Sequence, residues 1–205
     1  IDNKQNKSSS IAAGMINPIV FRRVTKSWRV DEFIPKAKDF YREVEAATGS
    51  QFLDSIKIRR FFSSEQEKQS WHQKQEEETY TNYLSLEESY KHEFTSPINN
   101  LGSAIVKNAF RVNAKDFMRQ THNLFQTNNS LNYESFDHAQ FNLDTMVYNG
   151  KKYNSVVFCC GSDQDSIPYF NSVQIQHTKG QVLTITAKQM TEEETWNKKG
   201  FILPI

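Results

Sequence analysis

The sequence predicts an α+β fold, on three observations. Helical apolar periods alternate with strand-like runs along the chain. An Asn149-Gly150 dipeptide lies between two alternating runs, the strongest short-range mark of an antiparallel hairpin. Most candidate strands alternate apolar and polar residues instead of running continuously apolar, so a purely parallel sheet is disfavoured and an antiparallel or mixed one expected.

The elements follow in chain order. Ile1-Asp2 reads as a strand end closed by an acid. The run Ser8-Ser9-Ser10-Ile11-Ala12-Ala13-Gly14 then precedes Met15-Ile16-Asn17-Pro18. Small side chains admit a large planar ligand close to the backbone, and serines with open N–H groups suit phosphate oxygens. The stretch therefore reads as one half of a dinucleotide site; the plainer alternative is a polar loop feeding a short helix. Asp31 is placed to cap a helix with Phe33, Ala37, Phe40, Tyr41, Val44 and Ala47 on one face, stopped by Gly49. Pro35 falls near its first turn, where a missing N–H is tolerated. Residues 51–62 alternate through Phe52, Ile56 and Ile58 as a strand. Ser64 with Glu67 makes a capping box for a polar helix running to about Glu78. Residues 79–101 suggest loops and short elements.

Residues 102–112 form the next expected strand. Asn113 caps a helix through Phe117, Met118, Thr121, Leu124 and Phe125, ended by Asn128-Asn129. A short strand at 131–136 precedes the hairpin arms 140–148 and 152–159. Val156-Val157-Phe158-Cys159 is continuously apolar, which predicts a strand buried on both faces, closed by Cys160-Gly161-Ser162. Beyond Pro168 come a strand at 181–187, a polar helix or loop holding Trp196, and a last strand at 201–205. Glu76-Glu77-Glu78 and Glu192-Glu193-Glu194 are expected as exposed helical faces.

At 205 residues the chain has room for one large domain or two small ones. Only 37% of residues are hydrophobic, but 15 Phe, 8 Tyr and 3 Trp supply area enough for a core. With 25 basic against 24 acidic residues there is no one-sided field, which argues against nucleic acid or an anionic membrane as partner. No apolar run reaches the roughly 18 residues of a transmembrane segment, and no signal-peptide pattern opens the chain. The only cysteines are the adjacent Cys159 and Cys160, which favours a reducing cytoplasm and buried structural thiols over a nucleophile. His72, His92, His122, His138 and His177 show no metal-binding spacing, so no metal is expected. The abrupt Ile1-Asp2 and the apolar 201–205 run suggest an internal piece of a longer chain.

The order of these segments resembles the FAD-dependent oxidoreductases of the D-amino-acid oxidase and glycine oxidase family. Ile1-Asp2 resembles the end of the second Rossmann strand, whose acid holds the adenosine ribose. Ser9-Ser10-Ile11-Ala12-Ala13-Gly14-Met15 resembles the family's stretch past the pyrophosphate toward the flavin ring. Residues 131–136 resemble the strand whose backbone brackets the adenine, and 156–161 the turn near the ADP moiety. Lys179-Gly180-Gln181-Val182-Leu183 resembles a substrate-domain strand. The family's GxGxxG turn would lie before Ile1, and its second flavin-contacting segment after Ile205.

The resemblance implies an incomplete Rossmann-like FAD-binding part at 1–50 and 113–170 and a substrate domain at 51–112 and 171–205. It implies a cytoplasmic flavoprotein oxidising a C–N bond of an amine or amino acid by hydride transfer to FAD, the 205 residues alone being inactive. Asp2, Ser9, Ser10, Ala13, Gly14, Met15, Phe136 (through its backbone), Cys160 and Gly161 are the implied cofactor contacts. Asn17 and Lys26 are candidates for the substrate cavity wall, and no catalytic side chain is assigned. The basic, aromatic run 21–29 has a cation suited to a substrate carboxylate. The alternative is a non-catalytic α+β binding or interaction module. A flavin enzyme acting on a modified nucleotide in RNA fits the neutral charge less well.

Overall fold

The computed structural model describes residues 1–2, 8–86, 100–161, 167–174, 176–186 and 194–205, with the Ser10 side chain left aside. Among them the helices are α1 Ser8–Ile11, α2 Val30–Thr48, α3 Glu65–Gln75 and α4 Ala114–Thr127. The strands are β1 Met15–Ile16, β2 Ile19–Val20, β3 Thr25–Lys26, β4 Leu53–Phe61, β5 Leu84–Ser85 and β6 Ser103–Val112. They continue with β7 Phe141–Asn142, β8 Val147–Tyr148, β9 Lys151–Lys152, β10 Thr195–Asn197 and β11 Phe201–Ile202. Helices with mixed sheets make the class α+β. The chain divides into two compact units, an aromatic unit of Ile1–Ala12 with Met118–Leu183 and a sheet unit of Ala13–Phe117 with Thr184–Ile205.

The sheet unit is built on β4 and β6, whose alternating residues pair antiparallel from Leu53↔Val112 to Phe61↔Ser103. The order is β1-β6-β4-β10-β11, with β5 also on β6; β10 lies parallel to β4 and the other pairs are antiparallel. Lys107 and Asn108 together face Lys57, a bulge that Asn108 accommodates at φ 55°. The core gathers Ile58, Phe62, Trp71, Ala104, Val106 and Phe110 under Ile34 of α2. Each of the larger aliphatic and phenyl side chains among them contributes roughly 1.5–3 kcal/mol by leaving water.

Two consecutive arginines sit buried in β4. Arg59 grips Glu194 through Nε (2.6 Å) and Nη2 (3.1 Å) and donates from Nη1 to Ser103 Oγ at 3.3 Å. Arg60 grips Glu67 through Nε (2.6 Å) and Nη2 (3.1 Å) and donates from Nη1 to Asn197 Oδ1 and the Lys198 carbonyl. Buried cations persist only with such partners. Glu194 is thus no exposed helical face, because Arg59 claims it; Glu192 and Glu193 lie outside the described residues.

Local signals set most helix ends. Ser64 Oγ accepts from Glu67 N–H at 3.1 Å at the start of α3, as its capping pattern predicts. That helix stops at Gln75, short of Glu78, because the Glu76 N–H turns back to Gln73 O in a tightened last turn. Helix α2 ends at Gly49 with φ 66°. Its start departs from expectation: it follows Arg29 at φ 51° without a side-chain cap, and Asp31 lies inside the first turn. Asn113 Oδ1 accepts from Asp116 N–H at 3.2 Å, capping α4. Trp196, expected in a helix or loop, lies in β10, paired with Arg59.

In the aromatic unit Asn149 (φ 48°) and Gly150 (φ 75°) make the expected hairpin turn between β8 and β9. The arms are far shorter than 140–148 and 152–159, and rings close the unit instead. Phe136 stacks on Tyr148 at 4.5 Å, and Phe158 lies edge-on to Phe136 at 5.4 Å and tilted to Tyr169 at 5.5 Å. Residues 131–136, 153–159 and 181–186, expected as strands, have no regular structure, and residue 187 lies outside the described set. Val157 is 80% exposed and Leu183 is 85% exposed, so 156–159 is not a strand buried on both faces. An apolar period states which residues would alternate, but a ladder needs a neighbouring strand, and none borders these segments among the described residues. The last strand shortens likewise to Phe201–Ile202.

Candidate functional site

Three segments expected around an adenosine meet in the aromatic unit. Asp2 has no strand around it, but its N–H donates to Asn132 O at 2.9 Å, tying the N-terminal acid to segment 131–136. The Asp2 carboxylate lies 3.5 Å from His122 Nε2, with both side chains about a third exposed. The His122 ring in turn meets Tyr133 edge-on at 6.2 Å. Phe136 and Phe158 then join segment 131–136 to 156–161 through their rings. Gly161 closes this stretch at φ 56°. The unit presents a partly exposed carboxylate on irregular backbone and, further along the same segment, an aromatic cluster, groups suited to ribose hydroxyls and a planar base.

The remaining expected contacts distribute as follows. Ser9 lies exposed on α1, and Ala12 and Ala13 are exposed as well. The Ser10 side chain lies outside the described residues. Gly14 and Met15 belong to the sheet unit, where Met15 pairs with Arg111. Gly14 has a steric reason: a Cβ there would come within 1.8 Å of the Val112 carbonyl oxygen, and its φ is 70°. Its carbonyl also accepts the Val112 N–H at 2.9 Å. The Val112 carbonyl of β6 occupies the space that the missing side chain leaves.

Asn17 and Lys26 are committed within the sheet unit. Asn17 clasps Ile19, accepting its N–H at 3.1 Å and donating to its carbonyl at 2.8 Å. Lys26 pairs with Asp31 and lies 5.9 Å from the Tyr83 ring centre. The Lys26 hydrogen bond, followed by one from Tyr83, holds the Asp31 carboxyl below the usual carboxylate range. Burial first, and then Asp31, pushes the Tyr83 phenol up to about 12. Cys159 is exposed and Cys160 half-buried, so neither is the buried structural thiol expected; they form no disulfide.

His122 escaped the sequence reading because nothing in spacing links it to Asp2. Among the described residues no cluster of His, Cys, Asp and Glu fits a metal ion, and no helix is long and apolar enough to cross a membrane. No family model matches the chain, and no solved structure does either.

Proposed function

We propose that this chain is part of an FAD-dependent oxidoreductase that oxidises a C–N bond of a small amine or amino acid in a reducing cytoplasm. One observation carries the reading: Asp2, 131–136 and 156–161, far apart in sequence and each assigned to the adenosine end by resemblance, are joined in one unit. The residues fit that end of the cofactor. The Asp2 backbone is pinned while its carboxylate stays accessible to ribose hydroxyls. Ser9, in the same unit, supplies an exposed hydroxyl for the diphosphate. Bound FAD supplies the two-electron acceptor that such a bond requires. This chain's residues orient it; no side chain here is assigned a proton-transfer role.

The test is flavin content. Protein from the complete reading frame that contains these residues is expected to purify yellow with one FAD, and Asp2→Ala to weaken FAD by about tenfold or more. The 205 residues alone are expected to be colourless. A folded full-length protein that takes up no flavin on reconstitution overturns the reading. It would leave the second reading, a non-catalytic interaction module, which the exposed Val157, Leu183 and Ile185 favour.

A further inference from the structure

We propose that the sheet unit carries a binding site for a small multivalent oxyanion, in a cavity bounded by Phe21, Arg22, Arg60, Glu67, Lys198 and Lys199. Every residue of this site belongs to the sheet unit, and the proposal does not depend on the flavin reading. The cavity measures about 430 Å³, within the range of small-molecule pockets. Four cations and a single carboxylate line it. The carboxylate is spent: Glu67 takes both fork contacts of Arg60 and also accepts the Ser63 N–H at 2.9 Å. Arg60 is therefore a fixed, buried wall, with its guanidinium 5.0 Å from the Phe21 ring centre. Lys198 reaches Asn100 Oδ1 at 3.3 Å. Arg22 and Lys199 are exposed and make no hydrogen bond or ion pair among the described residues.

The electrostatics point one way. A concave wall with an excess of three positive charges focuses its field on the cavity and raises the local anion concentration. Arg22 adds a planar fork that matches phosphate or carboxylate oxygens two at a time, and Lys199 adds a movable point charge. Arg22 and Lys199 come from opposite ends of the sheet unit's sequence, so the folded chain, not a local basic run, creates the site. The neutral overall composition conceals it.

The experiment titrates inorganic pyrophosphate into the 205-residue chain by calorimetry at 150 mM salt. One saturable site is expected. Arg22→Gln and Lys199→Gln should each weaken it by about tenfold, with circular dichroism unchanged. Lys151→Gln, an exposed cation in the aromatic unit, should leave it unaltered. Lys199 sits in an exposed bend, so its variant remains informative if Arg22→Gln disturbs the fold. A parallel titration with citrate defines the oxyanion class: comparable binding shows that the site accepts carboxylate as well as phosphoryl oxygens, and no binding that it selects phosphoryl ones, the site standing in both cases. Heat that never saturates, or an equal loss in Lys151→Gln, overturns the proposal.

Discussion

The two units bury their apolar residues by different means. In the sheet unit, β4 and β6 run nine and ten residues, and Phe110 is left 1% exposed between strand and helix. In the aromatic unit the strands are two residues each, and rings around Tyr148 form the interior while Val157 stays 80% exposed. Long paired strands send successive side chains to opposite faces, and here both faces are covered where Ile58–Phe61 of β4 and Ser103–Val106 of β6 are buried without a break. A cluster of rings buries only what the rings cover. Mutational sensitivity should therefore be steep along the continuously buried runs of β4 and β6 and confined to a few aromatics in the other unit.

The sharpest way to break that contrast is to truncate one apolar residue in each. Phe110→Ala should cost about 3–5 kcal/mol in urea unfolding, and Val157→Ala less than about 0.5 kcal/mol. Comparable losses would show that Val157 is covered in solution. Next comes Gly14→Ala, expected to lose about 2–3 kcal/mol, because its Cβ meets the Val112 carbonyl and its φ is positive. Lost flavin in a Gly14 variant would consequently report a damaged sheet before a damaged cofactor site. Gly150→Ala, with open space around it but φ 75°, should cost about 1 kcal/mol. Amide exchange at Tyr148 and Lys151 would place that loss in the aromatic unit.

The smallest effect is a pH dependence confined to the sheet unit. The folded Asp31 carboxyl titrates below its ordinary 3.8, so its stabilisation is present above that value and lost as the pH falls through the lower one. Tyr83 runs the other way. Its phenol is raised from 10.0 to about 12, so its contribution is complete below pH 10 and disappears as pH rises through 12. Asp31→Asn should remove the acid-side dependence and bring the Tyr83 absorbance transition part of the way down, leaving the share due to burial. A Tyr83 transition that does not move would show that Asp31 and Tyr83 are not bonded in solution. Asp31 is largely exposed, so the acid-side change is modest.

What the sequence made legible was local. The Ser64–Glu67 cap, the Gly49 stop and the Asn149-Gly150 turn each depend on residues within about four positions, where side-chain chemistry dictates the backbone. Strand β10 was missed because its partner in β4 and the Arg59–Glu194 pair lie 135 residues apart, and a charged run reads as solvated until its partner is known. The candidate site divides the same way. The acid at Asp2 and the small-residue stretch stood out by residue type. The approach of His122, the Phe136–Phe158 contact and the claim of Val112 on Gly14 are products of folding.

The parallel seat of β10 beside β4 has a consequence during synthesis. Until residue 197 has left the ribosome, the flank of β4 that carries Arg59 and Arg60 has no strand to cover it. The nascent chain must shelter a raw sheet border, with its two guanidinium groups lacking Glu194 and Asn197, from the synthesis of β4 until that of β10. That interval is when capture by a chaperone or mispairing with another nascent copy would compete with correct closure.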